Sequence, residues 1–366
     1  MMENFALLTS LVNEALGLPT SRERVYPAGV DQWVEVLEAA KGQRMLPLVV
    51  SLFDRVPEAF QPKGKPVVGS YVLSEQLVGK AEERLAKQRK LALLFQKHGL
   101  DVMFLKGWTL ALRYPDPMLR VYGDIDYYLF GHSKEGERVL TEELGLENSP
   151  YYHHHTQATW KGTLLENHYD FMDRENHACN WMLDDALKGL AASEGHSRPL
   201  DLGDETLRNA YRMTPTMEAL FLMRHMSGHF VASGMELRQL YDWILLLYRD
   251  GDQVDWPQVR DLFDKSGMLR FARMMSWIIA GKLCVQLPDY LGMIDGAADE
   301  QLAGRIWDDM VHPTGQDPYR RGTLRYYLRE SSIFLQNRWK HRLVYPSESY
   351  FGLMLNLLRL KLKLGR

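Results

Sequence analysis

The segment that decides the fold is Gly123-Asp124-Ile125-Asp126-Tyr127-Tyr128-Leu129-Phe130, in which two carboxylates open an apolar, strand-like run. Side chains alternate between the two faces of a strand, so Asp124 and Asp126 are predicted to share a face, within about 7 Å of each other. Two carboxylates that converge at a strand end supply the oxygen ligands that hard divalent cations such as Mg²⁺ prefer. The alternative is an ordinary Asp-x-Asp at the start of a strand, because this short pattern also occurs without a metal.

Directly upstream, the sequence predicts a turn that binds phosphate. Asp101 to Leu105 has the pattern of a short buried strand, Lys106-Gly107 breaks it, and Trp108 to Tyr114 has the pattern of a helix. A strand that turns through glycine into a helix presents free backbone N–H groups to an anion. Lys106 adds a positive charge, and Arg120 would supply a forked donor for a phosphate. The alternative for both side chains is solvated surface charge.

The resemblance to a known family rests on Leu105-Lys106-Gly107, Tyr114-Pro115-Asp116, Leu119-Arg120 and Asp124-Ile125-Asp126. Together these motifs resemble the signature of an uncharacterised bacterial nucleotidyltransferase family within the DNA polymerase β-like superfamily. That superfamily has a Gly-Ser or Gly-Gly turn, a spacer, and Asp-x-Asp or Asp-x-Glu. Trp108 departs from the pattern, because a small residue normally follows the glycine. The spacer is longer than in the minimal members, as expected for the narrower family.

A site of this kind usually needs a third carboxylate from a neighbouring strand. Gln157 to Trp160 and Leu164 to Phe171 are strand-like, and Leu165-Glu166-Asn167-His168-Tyr169 resembles a downstream segment of the family. Period-two alternation puts Glu166 and His168 on one face. The resemblance implies that Glu166 orients or deprotonates the acceptor hydroxyl and touches the catalytic metal, with His168 on the substrate side. The alternatives are a solvated strand face for Glu166 and a structural role for His168.

Further along the chain, Leu220 to Gly228 and Leu237 to Leu247 predict a helical hairpin with strong apolar content. Arg238 and Asp242 are spaced i and i+4, so they lie on one helix face. The family resemblance continues through Leu237-Arg238-Gln239-Leu240-Tyr241-Asp242 and implies that the hairpin faces the cleft. Arg238 and Asp242 are therefore substrate-side candidates. The alternative is an internal ion pair between them that positions the helix.

Two groups of histidines are less favoured as metal ligands. His225 and His229 would lie one helical turn apart, but their segment lacks the Glu that follows the first His in the zinc-protease motif. His153-His154-His155 alternates across a strand, so no more than two of these three side chains would converge on one ion. The sequence thus favours the carboxylates over a zinc site.

Composition and charge narrow the class of protein. The net charge of −3 over 366 residues gives no global reason to expect long nucleic acid as a partner. Cys179 and Cys284 form neither a disulfide framework nor a metal-binding pair. Met1 to Leu18 lacks the pattern of a signal peptide, and no apolar run reaches the roughly 18 residues of a membrane span. We expect a cytoplasmic protein with no integral membrane segment. The alternative for Tyr350 to Leu364 is a basic helix that lies on a membrane surface.

The predicted fold is α+β, with a small mixed-sheet core at 83–203 between helical regions at 1–82 and 204–366. In the first region, Asp31 is predicted to cap a helix whose apolar face contains Trp33 and Val36. A second helix, Glu83 to Gly99, leads into the strand, helix and strand that carry the candidate site.

The hypothesis that the resemblance implies is transfer of a nucleoside monophosphate from an NTP, such as ATP, with release of pyrophosphate. The acceptor is unknown and would be a small molecule, RNA or protein. Asp124 and Asp126 would bind Mg²⁺ or Mn²⁺. The catalytic and phosphate-binding candidates are Asp124, Asp126, Glu166, Lys106, Gly107 and Arg120.

Three alternatives stay open from the sequence. A metal-dependent phosphohydrolase would use the same carboxylates but release inorganic phosphate. A non-catalytic nucleotide-binding or interaction module would bind NTP and leave it intact, and Trp108 in the turn favours it. A toxin-like transferase would share the chemistry but modify tRNA or protein.

Overall fold

Helices surround a mixed sheet in this protein. The computed structural model describes residues 2–149, 154–232, 234–312 and 324–352. The α-helices in these ranges are α1 Met2–Leu16, α2 Val30–Gly42, α3 Leu46–Val50, α4 Lys65–Lys97, α5 Trp108–Ala111, α6 Ser133–Leu144, α7 Asn180–Glu194, α8 Pro215–Ala232, α9 Leu237–Asp250, α10 Trp256–Lys265, α11 Leu269–Gly281, α12 Ala297–Val311, α13 Leu324–Gln336 and α14 Arg338–Val344.

The described strands form one sheet with the spatial order β3-β4-β2-β1-β5. Their bounds are β1 Val102–Phe104, β2 Asp124–Tyr128, β3 His155–Trp160, β4 Thr163–His168 and β5 Ala210–Arg212. β2 runs parallel to β4 and antiparallel to β1, while β1 runs parallel to β5 and β3 antiparallel to β4. The predicted α+β fold with a small mixed sheet and flanking helices is therefore confirmed.

The two faces of β2 have different neighbours, because successive side chains point to opposite sides. Ile125 and Tyr127 belong to an apolar cluster with Phe95 of α4 and Leu140 of α6. Tyr128 lies on the other face and belongs to the larger cluster that includes the C-terminal helices. Asp124 and Asp126 share the Tyr128 face by the same alternation. The helices of the C-terminal half thus cover the face on which the candidate site lies.

Several predicted element bounds are wrong. The helix predicted from Glu83 is the second half of the 33-residue α4, which crosses the predicted boundary at residue 82. β5 lies beyond the predicted end of the core at residue 203 and still joins the sheet. The division into three regions stays a prediction. α2 begins at Val30 after Gly29, with no side-chain cap, so Asp31 lies in its first turn.

The helix predicted from Trp108 to Tyr114 is a single turn, because α5 ends at Ala111. Pro115 and Pro117 follow closely, and a proline disfavours helical conformation in the residue before it. One turn adds little to a helix dipole, so the predicted phosphate turn depends on Lys106 and the backbone of Gly107 instead.

None of the helices in the described ranges is both long enough and apolar enough to cross a bilayer. Most of the segment Tyr350 to Leu364 lies outside the described residues. The cytoplasmic location stays a prediction.

Candidate active site

Three carboxylates meet on one face of two adjacent strands. β2 and β4 run parallel, with Asp126 directly opposite Glu166 and Asp124 opposite Leu164. One ligand atom each from Asp126, Glu166 and His168 lies within 4.8 Å of the others. The side chain of Asp126 is fully buried, whereas that of Asp124 is 38% exposed. The strand register therefore brings Glu166, forty residues along the chain, to the paired aspartates.

The Lys106 ammonium lies among these acids. Its Nζ is 2.7 Å from Asp126 Oδ1 and 3.8 Å from Asp124 Oδ2. Burial lowers the pKa of Lys106, but the carboxylates of Asp126, Asp124 and Glu166 outweigh it and raise the pKa above its usual value. Lys106 is therefore a permanent positive charge at the centre of the site.

The pKa values of Asp126 and Glu166 are shifted in opposite directions. Burial favours the neutral form of both, but the adjacent Lys106 ammonium and the hydrogen bond from His168 keep the pKa of Asp126 well below its usual range. Burial and the neighbouring Asp126 charge raise the pKa of Glu166 to about 8. Two nearby acids with separated pKa values are typical of sites that use one as a permanent anion and the other to move a proton.

Histidines border the acidic group. His168 Nε2 lies 3.2 Å from Asp126 Oδ1, and its Nδ1 lies 3.3 Å from the backbone oxygen of Asp170. The rings of His154 and His155 each have their centres 5.2 Å from that of His168. One nitrogen from each of these three rings lies within 4.8 Å of the other two. Two members of the predicted histidine triplet therefore approach each other, while His153 lies outside the described residues.

His225 is a site residue that sequence reasoning assigned only to a rejected zinc motif. Its Nε2 accepts a hydrogen bond of 3.1 Å from Lys106 Nζ. Burial and the positive Lys106 keep the pKa of His225 well below its usual value, so the ring is neutral and available as an acceptor. His229, one turn later on α8, has its pKa lowered to about 4, chiefly by burial. The i, i+4 spacing of the two histidines was the available signal, but their burial against Lys106 is a tertiary feature.

Gly107 adopts a conformation that favours glycine. Its φ is +68°, and a Cβ built on it would lie 3.0 Å from Cδ2 of Tyr122. The backbone oxygen of Gly107 accepts a hydrogen bond of 3.0 Å from Arg120 Nη1. The glycine is needed because the turn has positive φ and because the Tyr122 ring packs against it.

Arg120 makes a buried ion pair with Asp242 of α9. Its Nε and Nη2 each donate to a different oxygen of Asp242, both at 2.7 Å, and its side chain is 1% exposed. Tyr114 also donates to Asp242, at 2.9 Å, and Arg238 Nη1 lies 3.6 Å from the same carboxylate. The three guanidinium nitrogens of Arg120 thus point at Asp242 and Gly107. In this structure Arg120 connects the Gly107 turn to α9, and its predicted role as a phosphate donor stays a prediction.

Arg238 and Asp242 form an ion pair within α9, which was one of the two roles that the sequence left open for them. Arg238 also lies 3.3 Å from Glu236. Both Arg238 and Asp242 nevertheless line the cleft beside Gly107.

The chain matches a known protein family by sequence. The sequence profile of a family described as uncharacterised nucleotidyltransferase matches residues 30–281, which is more than half of the chain. The chain belongs to this nucleotidyltransferase family. Searches of curated proteins and of solved structures find no match. The family assignment was predicted from the motifs around Lys106 and Asp124, and the profile match confirms it.

Two cavities of this nucleotidyltransferase meet at the acidic group. The larger, about 800 Å³, is lined by Gly107, Arg120 and Arg238 among others. The smaller, about 370 Å³, is lined by Glu166, His168 and Tyr345 among others. Lys106 and Asp124 line both cavities. A molecule in either cavity would therefore reach the same carboxylate and the same ammonium.

Replacing Gly107 with valine is expected to weaken NTP binding by about 10-fold or more. A β-branched residue is strained at positive φ, and its side chain would push the Tyr122 ring, so the backbone beside Lys106 would move. Calorimetric NTP titration measures the change. Gly145→Val is the matched control, because Gly145 has φ +65° with open space around it and lies at the end of α6. Wild-type affinity in folded Gly107→Val protein would contradict a role for this turn.

Asp242→Asn is expected to lower the free energy of unfolding by about 2 kcal/mol, because it leaves the buried Arg120 without its counter-charge. Urea unfolding measures this loss. The control is Asp261→Asn, which breaks an exposed i, i+4 pair with Lys265 and should change stability by about 0.5 kcal/mol or less. Unchanged stability together with lost NTP binding would instead make Asp242 a substrate ligand.

Proposed function

We propose that this protein transfers a nucleoside monophosphate from a Mg²⁺-bound or Mn²⁺-bound NTP to an acceptor hydroxyl, with release of pyrophosphate. The observation that carries the proposal is the register of β2 and β4, which places the buried Asp126 beside Glu166, two residues from Asp124, which lines both cavities. Family membership supplies the reaction class, and the acids supply the site.

The residues present fit a hard divalent cation. Asp124 and Asp126 offer carboxylate oxygens, the ligands that Mg²⁺ prefers, and Glu166 lies beside Asp126. Asp126 Oδ2 is buried and has no hydrogen-bond partner among the described residues. A buried carboxylate oxygen left without a partner is costly, and a cation ligand would remove that cost. Bound there, the ion would neutralise charge that develops on the phosphates during displacement.

The larger cavity suits the nucleotide. Lys106 lies at its junction with the smaller cavity, where its ammonium would pair with a phosphate of the NTP. In the structure as it stands, the same ammonium balances Asp126 and Asp124. Gly107 lines the larger cavity and lets the backbone approach the phosphates. Arg238 and Asp242 would line that cavity beside Gly107, with Arg120 positioning Asp242.

The smaller cavity suits the acceptor. Glu166 lies on it, with Gln157 Nε2 donating to its Oε1 at 2.9 Å and so orienting the carboxylate. Glu166 would accept the proton of the acceptor hydroxyl while that oxygen forms a bond to the α-phosphorus and the bond to pyrophosphate breaks. Burial and the Asp126 charge raise the pKa of Glu166, which makes its carboxylate a stronger base than that of a free glutamate and suits it to this task. His168 supports the geometry through its contact with Asp126.

The experiment that tests this proposal follows two labels. The purified protein is incubated with Mg²⁺ or Mn²⁺, a cell extract and each NTP in turn, ATP first, labelled at the α-phosphate or at the γ-phosphate. We expect label from the α-phosphate to appear on an acceptor and label from the γ-phosphate to appear in pyrophosphate.

The other functions predict different products. A phosphohydrolase would release inorganic phosphate with no acceptor labelled, and a binding module would leave the NTP intact. A labelled RNA or protein band would identify a macromolecular acceptor. A reaction from which the purified protein is omitted is the negative control, so labelling that persists in it would come from the extract.

A further inference from the structure

A second group of potential metal ligands lies outside the carboxylate site. It consists of His177 in the loop before α7, His341 on α14, and Glu348 beyond α14. We propose that these three residues bind one Zn²⁺ or a similar transition-metal ion. The ion would join the C-terminal segment to the loop that leads into α7.

The geometry already brings the three side chains together. One ligand atom from each lies within 4.8 Å of the other two. His177 Nδ1 and Glu348 Oε2 are 2.8 Å apart, although 171 positions separate them in the sequence. Two imidazoles and one carboxylate form a ligand set that zinc uses in proteins, with a fourth position left for water. Mg²⁺ disfavours such nitrogen ligands, so the group differs in preference from Asp124 and Asp126.

His341 provides an independent indication of a ligand. It is 1% exposed, and neither of its ring nitrogens has a hydrogen-bond partner among the described residues. Its ring lies among aromatic neighbours, with centres 5.0 Å from that of Tyr345 and 5.1 Å from that of Tyr350. Buried polar atoms in native proteins nearly always have partners, so an imidazole with two unpaired nitrogens needs an explanation. A bound ion supplies one.

Burial and hydrogen bonding shift the pKa values of two members of the group. Burial lowers the pKa of His341 to about 4, so its imidazole is neutral near pH 7 and has a free lone pair. Burial alone would favour protonated Glu348, but the hydrogen bond with His177 and the charge of His177 keep its pKa below the usual value. Metal ligands must be deprotonated, so binding the ion would displace any proton held between His177 and Glu348.

The surroundings hold these ligands in place. The backbone N–H of Cys179 donates to Glu348 Oε1 at 3.2 Å, which leaves Oε2 directed at His177. Outer hydrogen bonds of this kind orient metal ligands and strengthen binding. The His177 ring stacks on Tyr345, with centres 3.6 Å apart and planes 9° apart.

The location gives the ion a specific effect. Tyr345 lies between two of the ligands in the sequence and lines the smaller cavity together with Glu166. Binding an ion at His341 and Glu348 would fix the backbone on both sides of Tyr345. The ion would therefore stabilise the wall of the cavity that we assign to the acceptor.

The test measures zinc binding to the full chain in excess Mg²⁺, which keeps the carboxylate site occupied. Chelator competition and elemental analysis give affinity and stoichiometry for wild type, His341→Leu and His177→Ala. We expect each variant to lose one zinc equivalent, with affinity at that site lowered at least about 100-fold. Zinc should also raise the melting temperature of the wild type by several degrees and leave that of His341→Leu unchanged.

Two controls separate this site from the other histidines. His168→Ala removes a ligand of the group beside Asp126 and should retain the zinc equivalent assigned to His341. His98→Ala removes another histidine in contact with a glutamate, 2.8 Å from Glu143, with the Lys97 cation beside it, and should change nothing. Equal zinc binding in wild type and both test variants would overturn the proposal, as would loss of zinc in His168→Ala alone. Circular dichroism confirms folding, and His177→Ala serves where His341→Leu does not fold.

Discussion

Asp126→Asn is expected to lower the rate of nucleotidyl transfer by at least about 100-fold while the fold persists. Even outer partners of a metal ligand affect affinity or activity by about 10 to 100-fold, and Asp126 is proposed as a direct ligand. The amide keeps the shape of the side chain but loses the charge that faces Lys106, 2.7 Å away. The measurement is transfer of α-label at saturating Mg²⁺, with folding checked by circular dichroism.

Two further variants test whether the loss of turnover is specific to the carboxylates of the site. Asp124→Asn should also reduce turnover, because Asp124 shares the strand face and the junction of the two cavities. Asp101→Asn is the control, since Asp101 is an exposed acid that pairs with His196 at 3.1 Å just before β1. Unchanged turnover in both the Asp124 and the Asp126 variants would remove the active site from this sheet edge.

Glu166→Gln is expected to separate binding from chemistry. The amide cannot accept a proton, so single-turnover transfer should fall by about 100-fold or more, which is the range of general-base catalysis. The affinity for Mg²⁺ and NTP should stay within about threefold, because Asp124 and Asp126 remain. Calorimetry and rapid-quench kinetics measure the two quantities. Loss of affinity in proportion to rate would make Glu166 a primary metal ligand, and full activity would remove it from the mechanism.

The pH dependence supplies a second readout for Glu166. A base works in its deprotonated form, and the pKa of Glu166 is about 8 in the metal-free structure. We expect kcat/KM of the wild type to rise with pH and level off near or below pH 8, since a bound cation favours the deprotonated form. The profile of Glu166→Gln should lack this rise. Glu143→Gln is the control, because Glu143 is on α6 and pairs with Lys97 and His98.

The sequence by itself determined the features that local rules control. Alternation along Gly123 to Phe130 predicted a strand, and β2 occupies Asp124–Tyr128. The apolar spacing of Trp33 and Val36 predicted the buried face of α2. The break at Lys106-Gly107 predicted a turn, and Gly107 has the positive φ that only glycine adopts easily. Each of these follows from the conformational preferences and side-chain periods of neighbouring residues.

Tertiary structure decided how distant side chains combine. Arg120 has the same sequence signature as a phosphate-binding arginine, yet its guanidinium is buried against Asp242, 122 positions away. The alignment of Asp126 with Glu166 depends on the pairing of β2 with β4, and β5 joins the sheet from beyond the predicted core. His177 and Glu348 meet although 171 positions separate them, in a part of the chain where α14 packs on α8. Local periodicity states which face a residue occupies, whereas burial and long-range packing determine its partner and its charge state.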